Sequence, residues 1–337
     1  MTRHIRNLVT QQAIILLYHR VIDLPTDPQG LCVSRRNFAE HLQLLRAWGR
    51  TIHIKMLSHA LQHGDWGHRI ILITFDDGYA DNLYNARPLL ERYDIPATVF
   101  VTTGYLGSKK EFWYDNLERI FLHSGPLPEV LQLNVNGFRM ECDLGIRAAA
   151  IEDACNNLEP WQFSHNDIPA VRHTLYRTLC EMLRALPDAE RQEVLNNLAA
   201  WAGMDMVNRP THRTLSSEEL IRLADGGLID IGSHTVSHPV LSLLPLELQT
   251  EEITRSKVRI EEILGRPVDG FAYPFGGRSD YTEQTVAVVR DAGFHWACSN
   301  IAGMVRRDTD SWQLPRFLVR DCDGESFGRA LKGWMDD

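Results

Sequence analysis

The sequence predicts an α/β protein in which strand–helix pairs build a barrel-like parallel sheet, interrupted by an inserted subdomain. Short, continuous apolar runs such as 13–18 and 69–75 are typical of strands buried on both faces of a parallel sheet. Segments with apolar residues at helical spacing follow these runs. Polar residues stand where several strands end, which is the face where barrels of this kind collect their active sites.

The N-terminal part of the chain alternates strands with helices. Ser34 is predicted to N-cap a helix that Gly49 is placed to stop, and a second helix is predicted from Tyr84 to Arg92. The strands predicted here share an almost wholly apolar composition and cover Ala13–Tyr18, Arg69–Phe75 and Ala97–Val101.

Between Gly107 and about Leu215 the alternation stops for roughly a hundred residues, far beyond an ordinary loop, which predicts an inserted subdomain. Apolar residues alternate on both sides of Asn136-Gly137, as in a hairpin with a type I′ turn. Helices are predicted after it at about 145–157, 170–186 and 188–202. The barrel is thus assigned to 1–106 and 214–337, and the insertion to 107–213.

The alternation resumes after the insertion. Ser216-x-x-Glu219 and Asp280-x-x-Glu283 both have the spacing of a capping box, so each predicts the start of a helix. A further helix is predicted over 246–264. The strands predicted between these helices are Leu228–Gly232, Phe271–Tyr273, Phe294–Ser299 and Phe317–Val319.

Composition argues against disordered, collagen-like and coiled-coil proteins, and charge argues against a nucleic-acid partner. The 337 residues are 44% hydrophobic and 23% charged, which is ordinary for a folded chain of about two domains. A net charge of −9 provides no basic field for a nucleic-acid partner. Six cysteines without a C-x-x-C pair indicate reduced thiols.

The N-terminal apolar run, Ala13–Leu17, is shorter than the signal-peptide core of about 7–15 residues. No other stretch approaches the roughly 20 apolar residues of a membrane span. We therefore expect a cytoplasmic protein without a transmembrane segment, whose oligomeric state the sequence does not predict.

His234-Thr-Val-Ser-His238 places two imidazoles four residues apart, directly after a predicted strand. If the segment forms one helical turn, both rings point the same way and can share a metal ion. Since the chain has 14 histidines, this spacing also arises by chance, and a pair of surface or capping histidines is the alternative.

Asp76-Asp77-Gly78 ends an apolar strand. Adjacent carboxylates raise each other's pKa unless a cation or hydrogen bonds compensate. Successive strand side chains diverge, so one carboxylate can face a metal and the other a substrate. This divergence argues against a glycosidase pair, whose carboxyls converge on a sugar ring. A simple Asp-Gly turn is the alternative.

Three motifs together resemble those of the polysaccharide deacetylases of carbohydrate esterase family four, whose shared unit is the NodB-homology domain. The motifs are Thr74-Phe75-Asp76-Asp77-Gly78, His234-Thr-Val-Ser-His238 and Tyr273-Pro274-Phe275-Gly276. The resemblance covers about 12–106 and 214–320. It implies a deformed (β/α)7-type barrel, with the hairpin-plus-helices insertion outside the motifs.

The resemblance also implies roles for the motif residues. Asp76 would be the general base, and Asp77, His234 and His238 would bind a divalent metal, zinc by preference with cobalt, nickel or manganese as alternatives. One carboxylate and two imidazoles leave coordination positions open, as in catalytic rather than structural zinc sites. The backbone N–H of Phe275 would hold the oxyanion.

Two departures from the family pattern affect the predicted chemistry. The third motif usually begins with an Arg that pairs with the catalytic Asp, and here that position is Ala272. The usual C-terminal Leu-x-x-His is replaced by Leu314-Pro-Arg316, and Arg cannot release a proton at neutral pH. We assign Arg316 to substrate binding; a pairing with Asp76 that compensates for Ala272 is the alternative.

Leu16-Leu-Tyr-His19-Arg20 resembles the subgroup that cleaves poly-N-acetylglucosamine, in which the general-acid His lies on the first strand. The resemblance implies that His19 donates a proton to the leaving amine. A core-facing His held by one hydrogen bond is the alternative. Nearby anions favour the charged form of His19 and a metal opposes it, so the sign of its pKa shift is not predictable.

Two aromatic residues are predicted to contact the substrate, because aromatic rings stack on sugars. They are Tyr273 of the third motif and Trp113 in Phe112-Trp113-Tyr114, which opens the insertion. For Trp113, anchoring the insertion onto its host domain is the alternative, and it is the more common role of aromatic residues at such a position.

The resemblance implies a metal-dependent hydrolase that removes an N-acetyl group from an amino sugar in a poly- or oligosaccharide or its precursor, in surface polysaccharide biosynthesis. Its partner is the N-acylated sugar. A deformylase acting on a lipid-linked sugar is an alternative enzyme. Ala272 and Arg316 also suggest a carbohydrate-binding protein without turnover, but the residues for base and metal are all present.

Overall fold

The computed structural model describes residues 12–63, 70–108, 110–122, 125–135, 138–145, 162 and 171–336. The Asn136-Gly137 turn and, past its first residue, the helix predicted at about 145–157 lie outside this part of the chain. Two compact units are present. One comprises the chain up to Asp23, Leu31–Ser108 and the chain from Thr214, and the other comprises Leu24–Gly30 and Lys109–Arg213.

The strands within the described residues are numbered here in chain order. They are β1 (Ala13–Tyr18), β2 (Arg20–Val21), β3 (Cys32–Val33), β4 (Arg50–Thr51), β5 (Ile70–Phe75), β6 (Ala97–Val101), β7 (Val130–Val135), β8 (Phe138–Asp143), β9 (Ile229–Ser233), β10 (Gly270–Ala272), β11 (Trp296–Cys298) and β12 (Phe317–Leu318).

The α-helices are numbered in the same way. They are α1 (Arg35–Trp48), α2 (Ile54–His63), α3 (Arg87–Tyr93), α4 (Trp113–Phe121), α5 (Val171–Arg184), α6 (Asp188–Trp201), α7 (Ser217–Ala224), α8 (Leu246–Leu264), α9 (Glu283–Asp291) and α10 (Gly324–Asp336). None of these helices has the length and apolar character needed to cross a bilayer.

The first unit contains a parallel sheet with the strand order β11-β10-β9-β6-β5-β1-β12, and β4 pairs with β5 beside this path. β1 and β5 pair along six residues, from Ala13 opposite Ile70 to Tyr18 opposite Phe75. A parallel bridge between Cys298 and Leu314 links β11 to the segment before β12. The sheet therefore curls into a half-barrel, and the predicted α/β barrel class is confirmed.

Burial explains why the central strands are continuous apolar runs. All six residues of β1 are buried. Ile14 and Leu16 pack in the larger core cluster, whereas Ala13 and Ile15 pack in a separate cluster with residues of β5. Because successive side chains point to opposite faces, both faces of the strand must be apolar.

Two predicted helix caps are confirmed and one is wrong. Ser34 accepts a hydrogen bond from a backbone N–H in the first turn of α1, and Ser216 and Glu219 form a capping box on α7. The predicted start at Asp280 is incorrect, because Thr282 caps α9. The carboxylate of Asp280 instead accepts from the N–H of Gly277 in the preceding turn.

The second unit combines an antiparallel hairpin with helices. β7 and β8 pair from Val130 opposite Asp143 to Val135 opposite Phe138, as the alternating apolar residues predict. α5 and α6 are separated by Pro187, the N-cap of α6. The helix α4, which our sequence interpretation did not include, buries most of its residues.

Candidate metal and catalytic site

Several motif residues lie at the carboxyl ends of the central strands. Asp76 and Asp77 follow β5, His234 follows β9, and Phe275 lies on the turn after β10. These strands are parallel members of one sheet, so their carboxyl ends lie at the same edge. The sheet topology therefore brings together side chains that are far apart in the sequence.

The two adjacent carboxylates have different partners but both lie near His234, whose Nε2 is 3.9 Å from Oδ2 of Asp76 and 3.6 Å from Oδ1 of Asp77. The N–H of Asp76 donates to the carbonyl of Tyr18 at 3.1 Å, so this residue still continues the ladder between β1 and β5. Asp77 then takes a left-handed conformation with φ 74°, and Gly78 follows with φ 78°. A Cβ on Gly78 would lie 3.1 Å from the Val101 side chain, so glycine suits this tight turn.

Asp77, His234 and His238 form a compact group of possible metal ligands. Oδ1 of Asp77 lies 3.6 Å from Nε2 of His234 and 3.4 Å from Nε2 of His238. The donor atoms of the three residues all lie within 4.8 Å of one another, and all three residues are buried. One carboxylate and two imidazoles suit a divalent transition metal such as zinc, so the residues fit the implied ion.

The tautomer of His234 also suits metal binding. Its Nδ1 lies 2.7 Å from the carbonyl oxygen of Ala272. Because a carbonyl can only accept, we assign the proton to Nδ1, which leaves the lone pair of Nε2 directed at Asp77. Burial lowers the pKa of His234, although the charge of Asp76 and this hydrogen bond oppose the shift. The neutral ring is the form that binds a metal.

The histidine pair does not lie on a helical turn, which was the condition considered from the sequence. The segment between His234 and His238 is a loop in which Thr235 and His238 have φ values of 65° and 57°. The N–H of Gly104 donates to the carbonyl of Val236 at 2.8 Å, which ties the loop to the chain after β6. The centroids of the two imidazole rings nevertheless lie only 4.9 Å apart.

Gly104 is a residue that our sequence interpretation missed. A Cβ there would lie 2.6 Å from the carbonyl oxygen of Val236, so a side chain would push the histidine loop away. A glycine just after a buried strand was the available signal, because such glycines often mark a close approach of two backbones.

Arg316 holds the carboxylate of Asp76 in a bidentate ion pair. Nη1 and Nη2 of Arg316 lie 2.8 and 2.7 Å from Oδ1 and Oδ2 of Asp76, and its Nε donates to the carbonyl of Ser299. The pairing considered as compensation for Ala272 is thus confirmed. Burial favours neutral Asp76, yet the charges of Arg316 and His234 and the Arg316 hydrogen bonds hold the pKa of Asp76 below its ordinary value.

These contacts argue against a direct substrate contact by Arg316. Its side chain is 1% exposed, and its donors face Asp76, the Ser299 carbonyl and the hydroxyl of Thr74. Both terminal nitrogens of the Arg316 guanidinium already bind the carboxylate of Asp76, so the guanidinium orients that residue and is not available to a substrate. The geometry therefore favours a positioning role.

Phe275 lies at the tightest point of the third motif. It has φ 60° and Gly276 has φ 66°, and the N–H of Gly276 donates to the carbonyl of Pro274 at 2.6 Å. The ring of Phe275 packs edge-on against His238 at 4.8 Å between centroids. The side chain of Phe275 is therefore in contact with the ligand group, and the oxyanion role of its N–H stays a prediction.

His19 lies between β1 and β2 on a well-held stretch of main chain. Asn82 donates to its carbonyl at 2.9 Å, and the neighbouring Arg20 is paired with Asp81 at 2.9 Å. Among the described residues, its buried Nδ1 has no hydrogen-bond partner. Burial lowers the pKa of His19 to about 4, although the charge of Asp76 opposes this shift. The ring is therefore neutral at pH 7 in this state.

The two aromatic residues predicted to contact substrate are both buried. Tyr273 is 1% exposed, stacks on Tyr281 at 4.0 Å and donates its hydroxyl proton to the carbonyl of Trp312. Trp113 is 4% exposed and packs within the second unit, with Arg191 over its ring at 5.5 Å. Both environments favour a packing role over stacking on a sugar.

A second group of possible ligands, Asp115, Glu118 and His212, lies within the second unit. Nη1 of Arg209 lies 3.0 Å from Oε2 of Glu118, and Nη2 donates to the backbone carbonyl of Asp115. Arg209 also pairs with Glu111 at 2.8 Å. Since the Arg209 guanidinium already compensates the carboxylates of Glu118 and Glu111, we interpret this group as part of a buried ion-pair network.

A family model and two curated relatives indicate the same protein family for this chain. A family model described as polysaccharide deacetylase matches residues 63–134 and 189–297, together more than half of the chain. YxkH of Bacillus subtilis, whose name places it among polysaccharide deacetylases, is 32% identical over 111 residues. The poly-beta-1,6-N-acetyl-D-glucosamine N-deacetylase of Staphylococcus aureus is 27% identical over 121 residues. Each match spans 32% of this chain and about two fifths of the relative, 38% and 41%.

Solved structures show the same fold. IcaB from Ammonifex degensii aligns with a TM-score of 0.59 and 21% identity, over 97% of this chain and 98% of its own. The deacetylase PplD of Streptococcus pyogenes aligns with a TM-score of 0.58 and 17% identity, over 95% of this chain and 98% of its own.

Proposed function

Because the chain belongs to the polysaccharide deacetylase family, we propose that it is a metal-dependent hydrolase that removes the acetyl group from an N-acetylated amino sugar. The observation that carries this proposal is the buried Asp77, His234 and His238 group, with the oriented carboxylate of Asp76 adjacent to it in the chain. This set supplies ligands for an ion and a separate base, which are the two components of metal-assisted amide hydrolysis.

The substrate we propose is a poly- or oligosaccharide containing N-acetylated amino sugars, or its precursor, in surface polysaccharide biosynthesis. The name of the Staphylococcus aureus relative supports N-acetylglucosamine polymers as the class to test first. The Arg316–Asp76 pair argues against a binding protein without turnover, because the base keeps an oriented, charged state without the usual Arg. The predicted cytoplasmic location stays a prediction that cell fractionation tests.

A divalent ion at Asp77, His234 and His238, zinc by preference, would supply Lewis acidity that polarises the amide carbonyl and acidifies water. Asp76 takes the proton of the water whose oxygen bonds to the acyl carbon, and Arg316 keeps this carboxylate oriented. The N–H of Phe275 donates to the oxyanion. The carbon–nitrogen bond then breaks, and His19 donates a proton to the departing amine.

The low pKa of His19 adds a condition to this mechanism. With a pKa of about 4, its ring is neutral at pH 7 in the substrate-free protein and lacks the imidazolium proton that a general acid donates. We propose that His19 gains its proton only during turnover, and the proton that Asp76 removes from water is the available source. The buried Nδ1 of His19 has no hydrogen-bond partner within the described chain. No protein contact at this nitrogen therefore opposes a change in the protonation of the ring.

Replacing His238 with alanine is expected to abolish stoichiometric binding of zinc, because the variant removes one of only three protein ligands in the group. The measurement is elemental analysis of the purified protein after dialysis against zinc. His295→Ala is the matched control, since the side chain of His295 is 70% exposed and lies beside the partly exposed Asp269. Equal metal content in wild type and His238→Ala would contradict the proposed site.

Replacing His19 with alanine is expected to slow hydrolysis of an N-acetyl amide about 10²–10⁴-fold while an activated aryl acetate is affected far less. The amine must be protonated to leave, whereas an aryl oxide leaves without a proton. Turnover of both substrates is measured at equal metal content. If both rates fall equally and metal is lost, His19 is a ligand or a structural residue.

A further inference from the structure

The loop that carries the two histidine ligands is held by a carboxylate from the following helix. Glu252 lies on α8, and its Oε2 accepts hydrogen bonds from the N–H groups of Val236 and Ser237, each at 2.8 Å. The hydroxyl of Ser237 donates to Oε1, also at 2.8 Å. Both oxygens of one carboxylate therefore contact the short segment between the two ligands.

The loop adopts a conformation that needs such support. Thr235 and His238 both have left-handed backbone angles, which non-glycine residues and β-branched ones above all disfavour. Conformations of this kind persist when surrounding contacts over-determine them. The carbonyls of Thr235 and Val236 accept from the N–H groups of Thr103 and Gly104, so the loop is held from the β6 side as well.

The contacts of Glu252 indicate an effect on the conformation of the histidine loop rather than a direct part in the reaction. It bonds to residues between the ligands, and its carboxylate is engaged by backbone and hydroxyl donors. Without it, two backbone N–H groups of the loop would have to find other acceptors, and a water-exposed arrangement would compete with the present one. The position of His238 relative to His234 and Asp77 depends on this part of the loop.

We propose that Glu252 is a positioning residue that sets the metal affinity of the site by fixing the backbone between His234 and His238. The proposal rests on the metal site of the proposed function. It assigns a role to α8, which contributes none of the three ligands.

The proposal predicts different outcomes for two substitutions of Glu252. The Ser237 hydroxyl can accept as well as donate. Glu252→Gln can therefore keep all three contacts, with its amide oxygen on the two N–H groups and its amide nitrogen donating to Ser237. Glu252→Ala can keep none. A role based on geometry is thus rescued by glutamine, and a role based on charge is not.

The experiment measures zinc affinity by competition with a chromophoric chelator in the full-length protein. Glu252→Ala should weaken zinc binding about 10–100-fold, and Glu252→Gln should stay within about threefold of wild type. Glu251→Ala is the matched control, because its side chain is exposed on the same helix. The visible spectrum of the cobalt-substituted protein should change in Glu252→Ala alone, since it reports the arrangement of the ligands.

Three outcomes would overturn the proposal. The first is a folded Glu252→Ala variant that binds zinc within about twofold of wild type. The second is a glutamine variant as weak as the alanine variant, which would show that charge acts rather than geometry. If Glu252→Ala fails to fold, Glu252→Asp decides instead, because its side chain is one methylene shorter and draws the carboxylate away from the loop; unchanged zinc affinity in that variant is the third. A wild-type protein that binds no zinc would refute the metal site itself, which distinguishes failure of the proposed function from failure of this inference.

Discussion

Replacing Asp76 with asparagine is expected to reduce turnover about 10²–10⁴-fold while the protein keeps its metal. An amide cannot accept the proton of the attacking water. The ligand group Asp77, His234 and His238 does not include Asp76, so metal content should not change. The measurements are kcat on an N-acetylated oligosaccharide and metal per chain, both on protein whose fold is verified by circular dichroism.

Asp94→Asn is the matched control for this substitution. Its side chain is 81% exposed, and asparagine tolerates the left-handed backbone of that position, where φ is 52°. The control should behave like wild type. An Asp76→Asn variant with metal and activity close to wild type would exclude the base role, and one that loses its metal would show that Asp76 is a ligand.

Replacing Arg316 with methionine is expected to destabilise the protein by about 3–5 kcal/mol, because it leaves the buried carboxylate of Asp76 without its cation. Asp76 is 3% exposed, so water cannot easily replace the lost ion pair. Urea unfolding followed by circular dichroism measures the free energy of unfolding. Turnover should also fall, since the base loses both its orientation and the charge that favours its ionised form.

The double variant Asp76→Asn/Arg316→Met separates a broken ion pair from a packing defect. It should be more stable than Arg316→Met alone, because the buried charge has been removed together with its partner. Arg329→Met is the surface control, since the side chain of Arg329 is 64% exposed and its pair with Glu325 is at the surface. A double variant less stable than Arg316→Met would show that the carboxylate costs little when unpaired.

The central strands and the motif residues at their ends were predictable because their signals are local. β1 and β5 are buried on both faces, so their sequences are uninterrupted apolar runs. Asp76 and His234 come directly after strands, and parallel strands bring their carboxyl ends to one edge. The motif spacing then identified which residues meet there.

The conformation of the histidine loop could not be predicted from its own residues. Four-residue spacing fits a helical turn, but the observed backbone is determined by contacts with Gly104 and Glu252 from other parts of the chain. The prediction of the N-cap of α9 was wrong for a different reason. Asp280 and Thr282 both have side chains that can cap, and the turn at Gly277 engages Asp280.

The partner of Asp76, the carboxylate that we propose as the base, could not be predicted from a local signal either. Arg316 is 240 positions from Asp76 and belongs to no motif that contains an acidic residue. Only the strand order, in which β1 lies between β5 and β12, brings the two together. The pairing could be considered from the sequence because Ala272 left the base without its usual partner.

The position of β12 in the sheet has a consequence for protein synthesis. β1 is synthesised long before one of its two sheet neighbours, β12, which follows Arg316. On the ribosome, β1 therefore keeps an unpaired edge, and Asp76 lacks its cation, until residues 316–318 have emerged. A nascent chain that has not emerged past residue 318 therefore cannot orient the carboxylate that we propose as the base.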